Sequence, residues 1–400
     1  MRLVIVQYAG DFREAANRIQ ASGAETYYAQ KYSIDAVAAL VGRCESVSVL
    51  CCLTAEPYDV VLDNGVRAIG AGFTSVVDEA KIVELTAALN PDRLILRTPM
   101  RALFAWAVAR KIRTIGIFAD AFSAQGILNR LRSYRWARLL NRKSVEWIFN
   151  HGLNSCLSLA NIGVNPAKVI PWDWPAMVTP HAQPKKLAAQ ARPALLYVGL
   201  ITEAKGIGDL LHAVARLQRE GMDVQLKVAG GGDVDRFTAL AEELGIGGRV
   251  QFLGLVAHSS IQERMRDADL VVVPSRHEYA EGFPMTIYET LCSRTPLIAS
   301  DHPMFRTNLQ HEKESLIFPA GDAEALAANI RRALTDAGLY ERLSSASAAS
   351  WNQLQLPVKW GDAIDRWLFD CPPPDSASEE SWLFQKRLSS GIYPARPFPL

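Results

Sequence analysis

Six short apolar runs, each closed by a small residue and separated by longer amphipathic stretches, dominate the second half of the chain. They are "ALLYVG" ending at Gly199, "VQLKVAG" ending at Gly230, "RVQFLG" ending at Gly254, "DLVVVPS" ending at Ser275, "PLIAS" ending at Ser300 and "SLIFPA" ending at Ala320. Helical stretches begin near Gly206, Asp233, Ser259, Pro284 and Asp322. Runs this short and this continuously apolar suit strands covered on both faces. Strand, helix, strand, helix at this spacing predicts a doubly wound parallel sheet of the α/β class.

The first half repeats the pattern less cleanly. Its strand candidates are "RLVIVQY", "VSVLCC", "RLILRT", "TIGIFA" and "KVIPW", with helices expected over about 25–42, 78–89 and 99–111. At 400 residues the chain exceeds what one core usually organises, so two domains are expected. The Pro-, Ala- and Gln-rich stretch 177–193 reads as a linker. The expected division is 1–176 for a first domain, 177–193 for the linker and 194–350 for a second domain. Residues 351–400 then form a helix, "VKWGDAIDRWLFD", packing back on the first domain, and a tail. Two α/β domains facing a central cleft would bind a ligand at the carboxyl ends of their strands.

Composition narrows the class. With 49% hydrophobic and 21% charged residues the chain is that of a globular protein. Its six cysteines form no CxxC pair and read as reduced thiols. No secretory signal and no apolar run of membrane-spanning length is visible, so a cytoplasmic protein is expected, with peripheral contact at the inner membrane face. The formal charge of +1 hides an asymmetry, because Arg93–Lys143 holds twelve Lys or Arg and only Asp120 as an acid, a local +11 that leaves about −10 elsewhere.

The stretch "EGFPMTIYE", Glu281–Glu289, carries the chemistry. Pro284 suits the first position of a helix. The N–H groups of Met285, Thr286 and Ile287 then lack intrahelical partners and form an anion site beside the loop that holds Glu281. Glu289 sits on the same helix, expected to look out of the core. A ligand across this helix end would offer phosphates to the N–H groups and hydroxyls to the carboxylates, as a sugar nucleotide does. An isolated pair at this spacing is commonly a solvated acid and a loop acid; what singles it out is its place after a strand of a parallel sheet. Lys205, in the loop after the first strand of this domain, is placed to neutralise a phosphate. Gly230–Gly232 allow close backbone approach but do not form GxGxxG. The two D-x-D strings, Asp233–Asp235 and Asp267–Asp269, fall at helix ends and read as structural.

Residues 194–340 resemble the retaining glycosyltransferases of family 4, which have the GT-B fold of two Rossmann-like domains. The likeness rests on "YVGLITEAKG", "KVAGGGDVDRFTALAEELGIGGRVQFLG", "ADLVVVPSRHEYAEGFPMTIYETLCSRTPLIASD" and "ESLIFPAGDAEALAANI". The resemblance implies that Glu281 lies by the donor sugar, that Glu289 binds the ribose and that Lys205 binds the diphosphate. It also implies backbone contacts from Gly282, Phe283, Met285 and Thr286. Gly23, in "SGAETYY", corresponds to a glycine loop after the first strand that closes on the diphosphate. Two family positions differ: the arginine after "VG" is Leu200, and the histidine of a His-Asp pair is Ala119, leaving Asp120 as the candidate for an acceptor hydroxyl.

The resemblance implies metal-independent transfer from a nucleotide-diphosphate sugar, with UDP expected from family frequency, to an acceptor hydroxyl in polysaccharide or glycolipid synthesis. No further cofactor is expected. Two readings stay open beside it: another GT-B enzyme, such as a phosphorylase or sugar-nucleotide epimerase, and a non-catalytic sugar-nucleotide sensor or scaffold at the membrane. The segment 130–147 sets Arg130, Arg132, Arg135, Arg138, Arg142 and Lys143 among Tyr134, Trp136 and Trp147. That mixture suits an anionic membrane surface or a phosphorylated acceptor, with nucleic acid a third and an ordinary solvated basic face the plain alternative; the acceptor itself is expected to be a saccharide or lipid-linked. His277, His151 and Trp172–Asp173–Trp174 are weaker site candidates.

Overall fold

The structure, a computed structural model, describes residues 1–122, 127–181, 184–185, 192–279, 281–305 and 308–369, with only the backbone described at 127–129. Part of the expected linker and the tail with Cys371 lie outside the described residues. The chain divides into two compact units, one of Met1–Pro175 joined by the segment that starts at Leu356, the other Ala176–Gln355.

The first unit contains β1 (Arg2–Gln7), α1 (Phe12–Ser22), α2 (Gln30–Ala38), β2 (Ser46–Leu53), β3 (Pro57–Val61), β4 (Arg67–Phe73) and α3 (Glu79–Ala88). It continues with β5 (Arg93–Leu96), α4 (Arg101–Ala109), β6 (Arg113–Phe118), α5 (Ile127–Leu140), β7 (Val145–His151), α6 (Leu153–Asn161) and β8 (Val169–Trp172). The second contains β9 (Ala194–Val198), α7 (Ile207–Arg219), β10 (Gln225–Ala229), α8 (Val234–Glu243), β11 (Val250–Gly254) and α9 (Ile261–Asp267). There follow β12 (Leu270–Val273), α10 (Met285–Ser293), β13 (Leu297–Ser300), β14 (Ser315–Phe318), α11 (Ala323–Thr335) and α12 (Ala337–Leu354), before α13 (Trp360–Phe369) rejoins the first unit.

The first sheet runs β3-β4-β2-β1-β5-β6-β7-β8 and is parallel except for β3, which pairs antiparallel with β4. The second runs β11-β10-β9-β12-β13-β14, parallel throughout. Alternation along β1 shows why the strands read as unbroken apolar runs: Leu3 and Ile5 join one core layer, with Val49, Ile34 and Trp360, while Val4 and Val6 join the opposite layer, with Leu94, Phe104 and Phe118. In the second unit α7, α8, α11 and α12 close a single large layer around Leu195, Leu211, Val214, Phe237, Ile330 and Tyr340.

Several first-half expectations are corrected. The helix expected over 25–42 is only Gln30–Ala38, because Ala29 takes a left-handed φ of 56° just before it. α1 occupies a stretch read as loop. Asp11 caps it by accepting from Glu14 N–H at 3.1 Å. β3, β4 and β7 were not expected as strands. β4 carries Gly70, which lets Tyr58 of β3 lie directly over its backbone, so the apolar signal is diluted where the pairing is tightest. β7 hides at the end of the basic segment, and its Trp147 packs edge-on against Phe149, 5.9 Å between centroids. In the second unit the 18-residue α12, capped by Asp336, was not foreseen.

α13 packs on α2 and on the strand edge. Gly361 N–H donates to the Tyr32 hydroxyl at 3.1 Å, Arg43 pairs with Asp365 at 2.9 Å, and Trp367 Nε1 donates to Glu146 at 2.7 Å. The backbone of Asp173 bonds on both sides to this segment, its N–H to Val358 at 3.0 Å and its carbonyl from Trp360 at 3.2 Å.

Candidate functional site

The carboxyl ends of β9 and β12 bring Lys205 and Glu281 together although 76 residues separate them. Lys205 closes a single 3-10 turn, Glu203–Lys205, after β9. The Ala204 carbonyl of that turn accepts from Arg276 N–H at 2.9 Å, which ties it to the loop after β12. Gly206 makes the joint possible. Its φ is +77°, and a Cβ would run into the Pro274 carbonyl. Arg276 locks the same loop from below, with a bidentate pair to Asp209 at 2.8 and 2.7 Å and a contact to Glu203 at 2.8 Å.

Within this frame Lys205 Nζ forms an ion pair with Glu281 Oε1 and lies 4.3 Å from the Tyr279 ring centroid. Ser275 Oγ donates to the same carboxylate oxygen at 2.8 Å. Glu281 is 6% exposed, so it is no ordinary loop acid. Ser275 and Tyr279 went unremarked in the sequence, where nothing in their spacing marks them.

α10 begins beside this pair. Pro284 is the N-cap rather than the first helical residue, with extended ψ of 135°, and its carbonyl accepts from Ile287 N–H at 3.0 Å. Among the described residues the N–H groups left open at the helix end are therefore those of Met285 and Thr286, not Ile287. Thr286 Oγ1 donates to the Val198 carbonyl at 3.3 Å, holding this end against the terminus of β9. Phe283 packs edge-on against Tyr288, 5.1 Å between centroids, as a hydrophobic staple across the helix start. Its side chain serves the fold, which leaves its backbone, with that of Gly282, as what it can offer a ligand.

Glu289 does not look out to solvent. It is 5% exposed, and its Oε1 lies 2.6 Å from His258 Nε2. His258 comes from the 3-10 turn after β11, and the distance between the two in sequence explains why a lone histidine gave no sign. His277 lies apart, its Nε2 2.7 Å from Asp301 and half exposed. His302 is buried, which pushes its imidazole pKa down.

In the first unit Asp120 follows β6, where its N–H donates to Asn150 Oδ1 at 3.2 Å and its carbonyl accepts from Asn150 Nδ2 at 2.9 Å. Burial raises the pKa of its carboxyl. Ala119 beside it is exposed. Gly23 is not in the loop after β1. It ends α1 in a left-handed conformation, φ 68°, with its N–H on the Ile19 carbonyl at 2.8 Å. The loop after β1 is Tyr8–Asp11, eleven helical residues earlier. His151 and Asp173 form a buried pair, Nε2 to Oδ1 3.0 Å, and Trp174 stacks on Trp360 with centroids 6.0 Å apart; these residues join the joint that holds α13.

The basic segment divides in two. Trp136 packs on Phe104 and Phe122, and Trp147 belongs to β7, so of the three aromatics only Tyr134 stands out, at 61% exposed. Arg101, Arg132, Arg135, Arg138 and Arg142 line a groove of about 1080 Å³ between α4 and α5, with Leu131 half exposed at its rim. None of the five has an acidic partner among the described residues. Glu79, also at the groove, accepts from Ala102 N–H at 2.8 Å. No helix among the described residues is long and apolar enough to cross a membrane.

Comparison with known proteins adds to this geometry. Residues 179–349 match the model of the family described as glycosyl transferases group 1. Over 161 residues the chain is 31% identical to alpha-D-kanosaminyltransferase of Streptomyces kanamyceticus, covering 39% of this chain and 40% of that one. It is 32% identical over 155 residues to phosphatidyl-myo-inositol mannosyltransferase of Mycobacterium leprae (strain TN), covering 38% and 40%. The match thus spans about two-fifths of the length of these relatives. Among solved structures, sucrose-phosphate synthase of Thermosynechococcus elongatus superposes with a TM-score of 0.67 at 20% identity, covering 92% of this chain and 98% of that one. Anabaena HepE, solved in complex with UDP and glucose, gives 0.63 at 14% identity, covering 92% and 98%. WaaG, a glycosyltransferase involved in lipopolysaccharide biosynthesis, gives 0.61 at 16% identity, covering 92% and 100%. The fold is that of the GT-B glycosyltransferases, and residues 179–349 are similar in sequence to the glycosyl transferases group 1.

Proposed function

We propose that the protein is a retaining glycosyltransferase that moves a sugar from a nucleotide-diphosphate donor to an acceptor hydroxyl in glycoconjugate synthesis. The observation that carries this reading is the buried Lys205–Glu281 pair beside the open N-terminus of α10. A cation and unpaired N–H groups converge where a leaving diphosphate gains negative charge, and a carboxylate adjoins them to hold the sugar. On this reading Glu289, whose carboxylate is steadied by His258, holds the ribose hydroxyls. Transfer by front-face displacement asks for leaving-group stabilisation and positioning rather than a strong base, so the cationic work falls to Lys205 and the helix end, without a metal. The first unit takes the acceptor, with Asp120 as the candidate for its hydroxyl.

A panel of UDP-, GDP-, dTDP- and ADP-sugars tests the donor by thermal stabilisation. A donor at a hundred times its Kd stabilises the native state by about 2.7 kcal/mol, and Lys205→Ala should abolish most of that shift. If no member of the panel moves the melting temperature, the donor assignment fails. Tight binding without turnover on any acceptor would favour a sensor instead.

The arginine groove supports peripheral contact with an anionic membrane at the cytoplasmic face. Each basic side chain near such a surface contributes about 1 kcal/mol, so five reinforce one another. Flotation on vesicles with phosphatidylglycerol should retain the protein at low salt and release it when Arg135 and Arg138 become Ala. Equal retention on neutral vesicles would remove the membrane from the proposal.

A further inference from the structure

Among the described residues of the first unit, the guanidinium of Arg97 has no carboxylate to neutralise it. Arg97 directly follows β5, a strand flanked by β1 and β6. Its backbone N–H donates to the Val6 carbonyl at 2.9 Å, and its Nη1 donates to Gln7 Oε1 at 3.0 Å. Gln7 is itself oriented, because its Nε2 donates to the Gly10 carbonyl at 2.8 Å and reaches Cys51 Sγ at 3.4 Å. Its amide oxygen must therefore face the arginine. The Trp360 ring centroid stands 5.2 Å from the guanidinium carbon on another side.

Among the described residues Arg97 makes no ion pair; burial, the largest influence on its charge, pushes its pKa down, and Tyr27 and Cys51 act on it more weakly. Cys51 is no counter-ion, since burial pushes its thiol up to about 11. The arginine is positioned by a neutral amide and an aromatic face, and it keeps its whole charge for something else. A half-buried cation in that state is electrostatically incomplete.

Its surroundings suggest what completes it. Tyr8, which follows β1, is 38% exposed, and Tyr27 is 46% exposed. Tyr27 is close enough to act on the charge of Arg97, and an open aromatic ring near an oriented guanidinium at the carboxyl end of a parallel strand suits a small polar ligand with one apolar face. A pyranose ring has such a face, and an oxyacid group on it matches the two-pronged donor set of a guanidinium.

We propose that the carboxyl ends of β1 and β5 bind a saccharide bearing an anionic oxyacid group, a carboxylate or a phosphate, held by Arg97 and packed against Tyr27. Calling this saccharide the acceptor rests on the glycosyltransferase reading; its binding does not, because no donor is needed for it.

The experiment is isothermal titration of the full-length protein, free of nucleotide, with glucuronate, glucose 6-phosphate, glucose and inorganic phosphate. The two anionic sugars are expected to bind saturably and glucose to bind at least about tenfold more weakly, the range of a charge-assisted hydrogen bond. The stronger of the two identifies the oxyacid. Arg97→Gln should lose that preference and Arg97→Lys keep part of it. Tyr27→Ala, at an exposed position, should weaken both sugars and leave inorganic phosphate unchanged. Equal affinity for glucose and the anionic sugars, no binding by any of them, or unaltered binding in Arg97→Gln would overturn the proposal. The donor panel separates the two ideas: Arg97→Gln should still be stabilised by the nucleotide sugar, and a wild type that ignores every nucleotide sugar but binds the anionic saccharide refutes only the donor reading.

Discussion

Donor turnover, followed as hydrolysis or transfer, is expected to fall by about a hundredfold or more in Glu281→Gln, the scale on which removing one preorganised transition-state contact acts. The substitution keeps the shape of the side chain and its bond from Ser275, 2.8 Å in the wild type, and removes only the charge that faces Lys205. Lys205 is then no longer neutralised by a neighbour and is free to hold a diphosphate. Nucleotide affinity should therefore stay level or rise while kcat collapses. Lys205→Ala gives the opposite pattern. It leaves Glu281 buried without its cation, at a cost of about 3 kcal/mol in stability, and nucleotide affinity falls along with turnover. Steady-state kinetics and nucleotide titration on both variants check this crossed behaviour. Unchanged kcat in Glu281→Gln would show that the buried pair serves the fold alone.

The largest stability effect is expected at Trp360. Its side chain is fully buried, stacks on Trp174 and lies in the same core layer as Ile5, Val49 and Ile364. Trp360→Ala should cost the first unit about 3–5 kcal/mol, a fall of roughly 10 °C in its melting temperature. Scanning calorimetry is the direct measurement. Trp360→Phe should cost much less, because the buried indole Nε1 has no hydrogen-bond partner among the described residues and phenylalanine removes that unmet donor. A small effect of Trp360→Ala would mean that α13 contributes little to the first unit. Under the proposed function the donor is held by the second unit, so donor stabilisation should survive either change.

The second sheet was readable in advance because its strands are short, mostly apolar runs closed by a turn residue, even though Lys227 interrupts β10 and exposed Gln251 interrupts β11. Run length, the closing turn residue and the helical stretches between runs identify such strands. The first sheet was harder for a physical reason: β3 is an exposed edge, β4 gives up side chains at Gly70 and Gly72 so that Tyr58 and Pro57 can lie close, and β7 begins within a run of charge. α1 did carry signals, Asp11 and Gly23, but the glycine was assigned to a loop instead of a helix end. A left-handed residue is needed in both places, so the residue type does not separate them.

Local pattern determined that "EGFPMTIYE" follows a parallel strand and opens a helix, since Pro284 and the preceding apolar run are both short-range features. Tertiary structure decided the state of its charges. Whether Glu281 and Glu289 are solvated acids or buried, paired groups depends on Lys205 and His258, which come from the turns after two other strands of the sheet, β9 and β11. It likewise decided that Arg97, unmarked among twelve basic residues, is the one whose side chain rests on a neutral amide beside an aromatic ring. Burial and charge pairing are set by which strands lie side by side, and strand order is a property of the folded sheet that no window of sequence contains.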